Sequence, residues 1–270
     1  ATLTFELLKK ASSLLRSCGV KTPPVDIYKL AVHQGIREVR FEDMSLDGEL
    51  RKLKQGGYMV TLNRKLPEVR KRFTLAHEIA HTLLLEEHAF ASCGKQSTSN
   101  APLGGPEEIC DFIAAELLMP DYLIRKILPH SSDINIEGLV GIAEVFKCSL
   151  EAAAFKVLNS SRTRGVLLIW GVGKALGRTY LHLVARPKTR DLDIPFPRGF
   201  KVFPGTPNWD QLVNDGAHMV TLEISEMGLS YLAERARPTA NRILTLIKIP
   251  QMRKGGEVPS KRLAPRSLFT

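Results

Sequence analysis

The sequence predicts an α+β protein whose first part is mainly helical and whose last part is mainly strands. Three observations support this fold class. Apolar residues recur at helical spacing through residues 1–160, whereas short runs of strand-forming residues, separated by loops rich in proline and glycine, follow Arg164. The length of 270 residues exceeds that of one typical domain, roughly 100–200 residues. We therefore expect more than one compact unit.

The composition excludes several classes of protein. Apolar residues make up 44% and charged residues 24%, as in folded globular proteins and unlike disordered or fibrous chains. No apolar run approaches the ~18 residues that cross a bilayer, and the N-terminus lacks a signal-peptide layout, so no membrane association is expected. The four cysteines form no C-x-x-C pair and fit a reduced, cytoplasmic protein. A net charge of +10 favours a polyanionic partner.

The first elements are two helices and a strand. Apolar spacing predicts an amphipathic helix over residues 3–18, which Gly19 ends. A second short helix is predicted over residues 25–34, because Asp26 stands in its first turn after two prolines. The β-favouring residues at 57–63 then predict a strand.

Two further helices follow, joined by a loop. The first is predicted over residues 74–87 with Thr74 as its N-cap, and the second over residues 107–119, ended by Pro120. Between them, residues 91–106 change to serine, threonine, glycine, asparagine and proline, which is typical of a connecting loop.

The remaining chain divides into a helical pair and a strand-rich region. Residues 137–159 contain two short helical patterns with Ser149 placed as the N-cap of the second, which is the spacing of a helix-turn-helix. Beyond Arg164 the pattern indicates a separate sheet-containing domain. Its predicted strands are 166–170, 180–184, 219–224 and 243–249. The basic tail from Arg253 is predicted to be loose.

The first of the two central helices carries the sequence His77-Glu78-Ile79-Ala80-His81, which has the form H-E-x-x-H. Residues four apart on a helix share a face, so both imidazoles can bind one zinc ion. Glu78 lies about one hundred degrees round the helix and can act as a base without being a ligand. The alternative is a solvated face with two surface histidines, which the apolar flanks on both sides disfavour.

A catalytic zinc site needs a third protein ligand. The extended motif that returns a third histidine after a glycine is not present, because Leu84 stands at the glycine position. Carboxylates on the next helix are therefore the candidates: Glu107, Glu108 and Glu116. Glu107 is preferred, since Asp111 follows on the same face and can accept the outer N–H of a ligand histidine.

The segment from Arg72 to His81, followed by the segment from Glu107 to Pro120, resembles the ImmA/IrrE family of bacterial metallopeptidases, and the resemblance covers residues 1–160. It implies a zincin-like metallopeptidase fold, with Zn²⁺ as the cofactor. By resemblance, the metal ligands are His77, His81 and Glu107. One departure is Asp111, where the family usually has asparagine.

The length and the extra C-terminal region are similar to the radiation-response (IrrE-like) branch of that family. This implies a zinc metallopeptidase-like domain at 1–122, a helix-turn-helix-like helical domain at 123–160 and a GAF-like sensor domain, α/β in class, at 161–270. The implied function is a zinc-dependent endopeptidase that cleaves a partner transcriptional repressor, itself a helix-turn-helix protein, and so switches on a stress response such as radiation resistance. DNA contact would be secondary.

Two other functions compete with that prediction. The protein could be a DNA-binding regulator that reads DNA with residues 137–159 and keeps a structural or vestigial metal site; the basic stretch at 51–72 favours it, but the second helix of the pair has only Lys156 as a cation. A third candidate is a sensor whose C-terminal domain binds a small ligand. Its pocket would be lined by Trp170, Phe196, Phe200, Phe203 and Trp209, unless these aromatic residues are core.

Two smaller predictions concern the substrate. The strand Tyr58–Asn63 can pair with an extended peptide if it lies at a sheet edge. Tyr58 and His88 are candidates for stabilising the oxyanion.

Overall fold

A computed structural model of the chain gives the fold. It describes residues 2–86, 105–128, 134–160, 164–175, 177–189, 192, 196–197, 199–213, 218–224, 229–239 and 241–249. These residues form helices and two sheets, so the predicted α+β class is confirmed. None of the described helices is long and apolar enough to cross a membrane.

The N-terminal helices are α1 (Thr2–Ser17) and α2 (Ile27–His33), close to the predicted bounds. The side chain of Asp26 accepts a hydrogen bond from the backbone N–H of Lys29 at 3.0 Å, which caps α2. The helix therefore begins two residues later than predicted.

A small sheet follows, made of β1 (Ile36–Glu42), β2 (Gly48–Lys52) and β3 (Tyr58–Asn63). The strand order is β1-β3-β2, with β1 parallel and β2 antiparallel to β3. The predicted strand β3 is thus central, and β2 lies at an edge. The sequence did not predict β1 and β2, because most of their side chains are charged or half exposed and no apolar alternation marks them as strands.

The two central helices are α3 (Glu68–Glu86) and α4 (Pro106–Leu118), which pack against each other. The prediction that Thr74 caps α3 is wrong. The helix begins two turns earlier, after Pro67, and the Thr74 hydroxyl donates to the Arg70 carbonyl at 3.0 Å within the helix. Residues 87–104, with His88 and most of the predicted loop, lie outside the described part of the chain.

Three shorter helices complete the helical part: α5 (Asp121–Ile127), α6 (Ile136–Phe146) and α7 (Leu150–Ser160). The hydroxyl of Ser149 accepts from the backbone N–H of Ala152 at 3.1 Å, so the predicted cap of α7 is confirmed. The residues of α6 and α7 that face inward join the same core as α1 to α4.

The large sheet is antiparallel, with the order β6-β5-β4-β9-β8-β7. Its elements are β4 (Arg164–Ala175), β5 (Arg178–Ala185), β6 (Lys201–Val202), β7 (Met219–Ile224), β8 (Leu229–Thr239) and β9 (Arg242–Ile249), with helix α8 (Pro207–Val213) between β6 and β7. All four predicted strands are present. β8 was not predicted, because its polar residues and proline obscure the alternation that identifies a strand.

The two faces of this sheet belong to different cores. Leu167 and Ile169 of β4 join the core of the helical part, whereas Leu168 and Trp170 join a second core with α8. Alternation along one strand therefore connects the two halves of the molecule. The three-domain division and the GAF-like architecture stay predictions.

Candidate metal centre

α3 and α4 bring three potential metal ligands together. His77 and His81 lie one turn apart on α3, and the facing nitrogens of their rings, both Nε2, are 3.0 Å apart. Glu107, in the first turn of α4, places Oε2 at 3.1 Å from the His77 nitrogen and 3.6 Å from that of His81. The three atoms form one group that can hold a metal ion.

These separations fit a single divalent ion. Nitrogen and oxygen ligands at about 2.0–2.1 Å from a tetrahedral zinc ion stand about 3.3 Å apart, within the range observed among these three atoms. The donor set, two imidazoles and a carboxylate, is also the set of a catalytic zinc site with an open fourth position. The exposed fraction of the Glu107 side chain, 74%, shows that the group opens to solvent.

Both imidazoles have a partner on their outer nitrogen. His77 Nδ1 lies 2.8 Å from a carboxylate oxygen of Asp111, one turn after Glu107 on α4. His81 Nδ1 lies 3.5 Å from the Cys110 sulfur. Asp111 was predicted for this place, but Cys110 was not. Because Cys110 stands three residues after Glu107, helical spacing alone puts it on the same side of α4.

The two imidazoles differ in their affinity for protons. Burial lowers the pKa of His77, but the hydrogen bond and the charge of Asp111 outweigh it, so the net shift is upward. Burial and the neighbouring His77 together lower the pKa of His81. A proton on His77 therefore disfavours a proton on His81. A metal ion bound to the two facing nitrogens would take the place of a proton on either ring.

Glu78 is a buried carboxylate beside this group. It is 7% exposed, and burial raises its pKa to about 7. Gly48 of β2 passes close to it: a Cβ on Gly48 would lie 3.3 Å from Glu78 Oε1 and 2.5 Å from the Thr74 methyl group. Only a glycine lets the edge strand approach α3 at this point.

An open cleft of about 810 Å³ runs past the three ligands and Glu78. β2, from Gly48 to Leu50, and the start of α4 both line it. The apolar side chains of Phe73, Leu84 and Leu85 also contribute to its lining. The cleft therefore combines an edge strand, a ligand cluster and an apolar surface.

Other predicted site residues lie elsewhere. Glu108 is exposed and outside the ligand cluster, while Glu116 is buried in an ion pair with Lys156. Tyr58 is on the central strand and does not line the cleft. His88 falls outside the described residues.

Comparisons with known proteins bear on the first part of the chain. The family model of Peptidase_M78, described as the IrrE N-terminal-like domain, matches residues 32–158. A solved structure, a Mycobacterium tuberculosis transcriptional regulator, is 11% identical, with a TM-score of 0.47, and the match covers 90% of this chain and 87% of that chain. No curated protein matches the sequence.

Proposed function

Because the family model of Peptidase_M78, the IrrE N-terminal-like domain, matches residues 32–158, we propose that this protein is a member of that family and a zinc-dependent endopeptidase. The observation that carries the proposal is the convergence of His77, His81 and Glu107 within 4.8 Å, beside a buried carboxylate and an open cleft. A structural metal site is normally closed by four protein ligands, whereas three ligands facing a cleft leave room for water.

The residues would divide the chemistry as follows. A zinc ion held by the three ligands would supply Lewis acidity to the scissile carbonyl and to water. Glu78 takes a proton from the attacking water and delivers it to the departing amine, a role that a buried carboxylate with a pKa of about 7 suits near neutral pH. Asp111 fixes the tautomer of His77 by accepting from Nδ1.

The substrate would bind as an extended peptide along β2. This strand lies at the sheet edge and forms a wall of the cleft, so its outer N–H and C=O groups can pair with a peptide. The strand predicted for this role, β3, is paired on both sides and offers no free edge. Phe73, Leu84 and Leu85 favour a substrate with an apolar side chain near the scissile bond.

The finer assignments form part of the same proposal. The substrate is a helix-turn-helix repressor whose cleavage switches on a stress response. The chain is organised as a peptidase domain at 1–122, a helix-turn-helix-like domain at 123–160 and a GAF-like sensor domain at 161–270, and acts in the cytoplasm.

The competing function, DNA reading by α7, has less support. The one cation of this helix, Lys156, is buried against Glu116 and Asp121 and cannot reach DNA. Much of the basic stretch at 51–72 is also engaged within the protein. Arg51 pairs with Glu49, Lys65 with Asp43 and Arg70 with Asp47, while Arg72 is buried on backbone carbonyls.

The test compares the zinc-loaded protein with its Glu78→Gln variant on a helix-turn-helix repressor from the same genome. The wild type is expected to give discrete fragments, and the variant, which keeps the shape of the side chain but has no proton acceptor, is expected to be slower by about 10²–10⁴-fold. Both should bind equal amounts of zinc. Equal cleavage by the two forms would overturn the role of Glu78, and zinc binding without cleavage, with tight salt-sensitive DNA binding, would favour the regulator.

A further inference from the structure

The aromatic residues of the C-terminal region divide between the two faces of the large sheet. Trp170 and Phe196 are fully buried in the second core, and Phe200 and Trp209 pack against it. These four therefore act as core rather than as a ligand pocket. Phe203 differs, because it is 48% exposed.

Phe203 belongs to a group on the opposite face. Its ring lies 5.8 Å from that of Tyr180, which in turn lies 5.8 Å from the ring of His182. The Lys201 ammonium stands 5.2 Å from the Tyr180 ring centroid. On the same face of the sheet, Leu167 and Ile169 of β4 pack against the helices. The group of rings lies further along this face, where the surface is exposed.

Strand register places charged residues in the same row. Lys201 pairs with His182, His182 with Gly171, and Gly171 with Arg242, across four adjacent strands. Paired residues of an antiparallel sheet project to the same face. Arg178 joins this face by alternation with Tyr180. We call Arg178, Tyr180, His182, Lys201, Phe203 and Arg242 the aromatic–basic face.

Glycines under this face make the rings recline. A Cβ on Gly173 would lie 2.5 Å from Tyr180 Cζ, and one on Gly171 would lie 3.0 Å from His182 Cε1. The Tyr180 and His182 side chains therefore lie over β4, whereas side chains of a sheet normally stand perpendicular to it. A reclining ring presents its face, rather than its edge, to whatever lies above the sheet.

The charge of the face has one sign. Its three cations, Arg178, Lys201 and Arg242, are exposed. None of the described residues that β4, β5, β6 and β9 place beside them on this face is acidic. This contrasts with the small sheet, where Arg40 and Arg51 pair with glutamates on their own strands. The uncompensated charge calls for an anionic partner.

Cross-strand packing of rings on glycines explains part of this arrangement, because an aromatic side chain commonly covers a glycine of the next strand. It does not explain Phe203, which covers none of the described glycines and remains half exposed. It also does not explain the three cations, which have no acidic neighbour among the described residues of this face. A partner that offers both flat apolar rings and negative charge accounts for both.

We propose that the aromatic–basic face binds single-stranded nucleic acid. Bases stack on Phe203 and Tyr180, and Lys201, Arg178 and Arg242 contact phosphates. A duplex fits less well, because its bases are already stacked on one another. The proposal is independent of the metal centre and of peptidase activity.

The test measures fluorescence anisotropy of a labelled oligothymidylate of about 15 nucleotides with the full-length protein. Binding is expected to weaken with salt, with a slope of about −2 in log K against log salt if three phosphates are contacted. Phe203→Ala and Lys201→Glu should each weaken binding by about tenfold. Lys21→Glu, an equal charge change at an exposed residue after α1 that is not part of the aromatic–basic face, is the matched control and should have little effect.

Two further probes separate stacking from charge. An abasic strand of equal length and charge should bind much more weakly than oligothymidylate, and a duplex should compete poorly. Equal binding of the abasic strand, or equal losses in Lys21→Glu and Lys201→Glu, would identify a general polyanion surface and overturn the proposal. No binding by the wild type would also overturn it. Thermal unfolding of each variant checks that a loss is not a failure to fold.

Discussion

The two ends of α4 place carboxylates against positively charged or chargeable groups in different ways. At the start of the helix, Glu107 faces the nitrogens of His77 and His81 at 3.1 and 3.6 Å, and its side chain is open to solvent. Near the end, Glu116 is buried against Lys156, which also lies 2.7 Å from Asp121. The second cluster contains its own cation. The first presents three ligand atoms to one point and, under the proposed function, would be completed by a cation from outside.

The comparison shows how a binding site differs from a structural ion pair in the same helix. Compensated charges link α4, α5 and α7 and leave nothing for a ligand to bind. Where ligand atoms converge and no lysine or arginine of the protein lies between them, they can still bind a metal ion. The following predictions test this difference, from the largest expected effect to the smallest.

Lys156→Met should have the largest effect. The side chains of Lys156 and Glu116 are 7% and 10% exposed, so removing the cation leaves a buried carboxylate without its partner. We expect a loss of about 3–5 kcal/mol in the free energy of unfolding. Denaturant unfolding measures it, and the double variant Lys156→Met/Glu116→Leu, which removes both charges, should recover much of the loss. A loss below about 1 kcal/mol in the single variant would show that the pair is not needed.

Glu107→Gln should weaken metal binding and leave folding almost unchanged, unlike Lys156→Met, which should weaken folding. Because its side chain is exposed, the free energy of unfolding without metal should change by less than about 0.5 kcal/mol. The affinity for zinc should fall by about 100-fold or more, since outer partners of ligands alone contribute 10–100-fold. Competition with a chromophoric chelator measures the affinity. Glu108→Gln, one residue away and outside the cluster, is the control and should bind zinc as the wild type does.

Asp111→Asn should have an intermediate effect on the same measurement. Asparagine can still accept from His77 Nδ1 but has no charge, so the zinc affinity should fall by about tenfold. An unchanged affinity would show that the carboxylate of Asp111 adds nothing beyond the hydrogen bond.

The smallest effect concerns the pH dependence of the structural cluster. Burial by itself raises the pKa of Asp121, but Lys156 and the Ser160 hydroxyl outweigh burial, so the pKa is lowered on folding. A carboxylate whose pKa is lowered in the folded state contributes stability above its unfolded pKa of about 3.9, and this contribution is lost as the pH falls further. The difference in unfolding free energy between wild type and Asp121→Asn should therefore be constant above about pH 5 and shrink below it. A difference that grows on acidification would contradict the assigned sign.

The sequence predicted the convergence of His77, His81 and Glu107 better than it predicted the rest of the molecule. Two histidines four residues apart on a helix need only helical geometry to meet, and Asp111 singled out Glu107 among three candidates. The family resemblance is also confirmed by the match over residues 32–158. The pairing of Lys156 with Glu116 was not foreseen, because helical spacing does not relate residues on different helices.

The missed strands have a common physical cause. The charged side chains of β1 and β2 are exposed or half exposed, and β8 contains charged residues and a proline. Their partners, not their own composition, hold these strands in the sheet. The sequence did not predict the aromatic–basic face, because that face also depends on strand pairing. Its residues come from β5, β9 and the end of β6, and only register shows that Lys201 and Arg242 share a row with Gly171.

X-ray absorption spectroscopy at the zinc edge of the zinc-loaded protein tests the central claim most directly, because it identifies the ligand atoms. Two imidazole nitrogens and an oxygen ligand at about 2.0–2.1 Å, with no sulfur, are the expected result. Loss of the imidazole signature in a His77→Ala/His81→Ala variant would complete the assignment. A sulfur ligand at about 2.3 Å, which Cys110 beside His81 could supply after rearrangement, would contradict it.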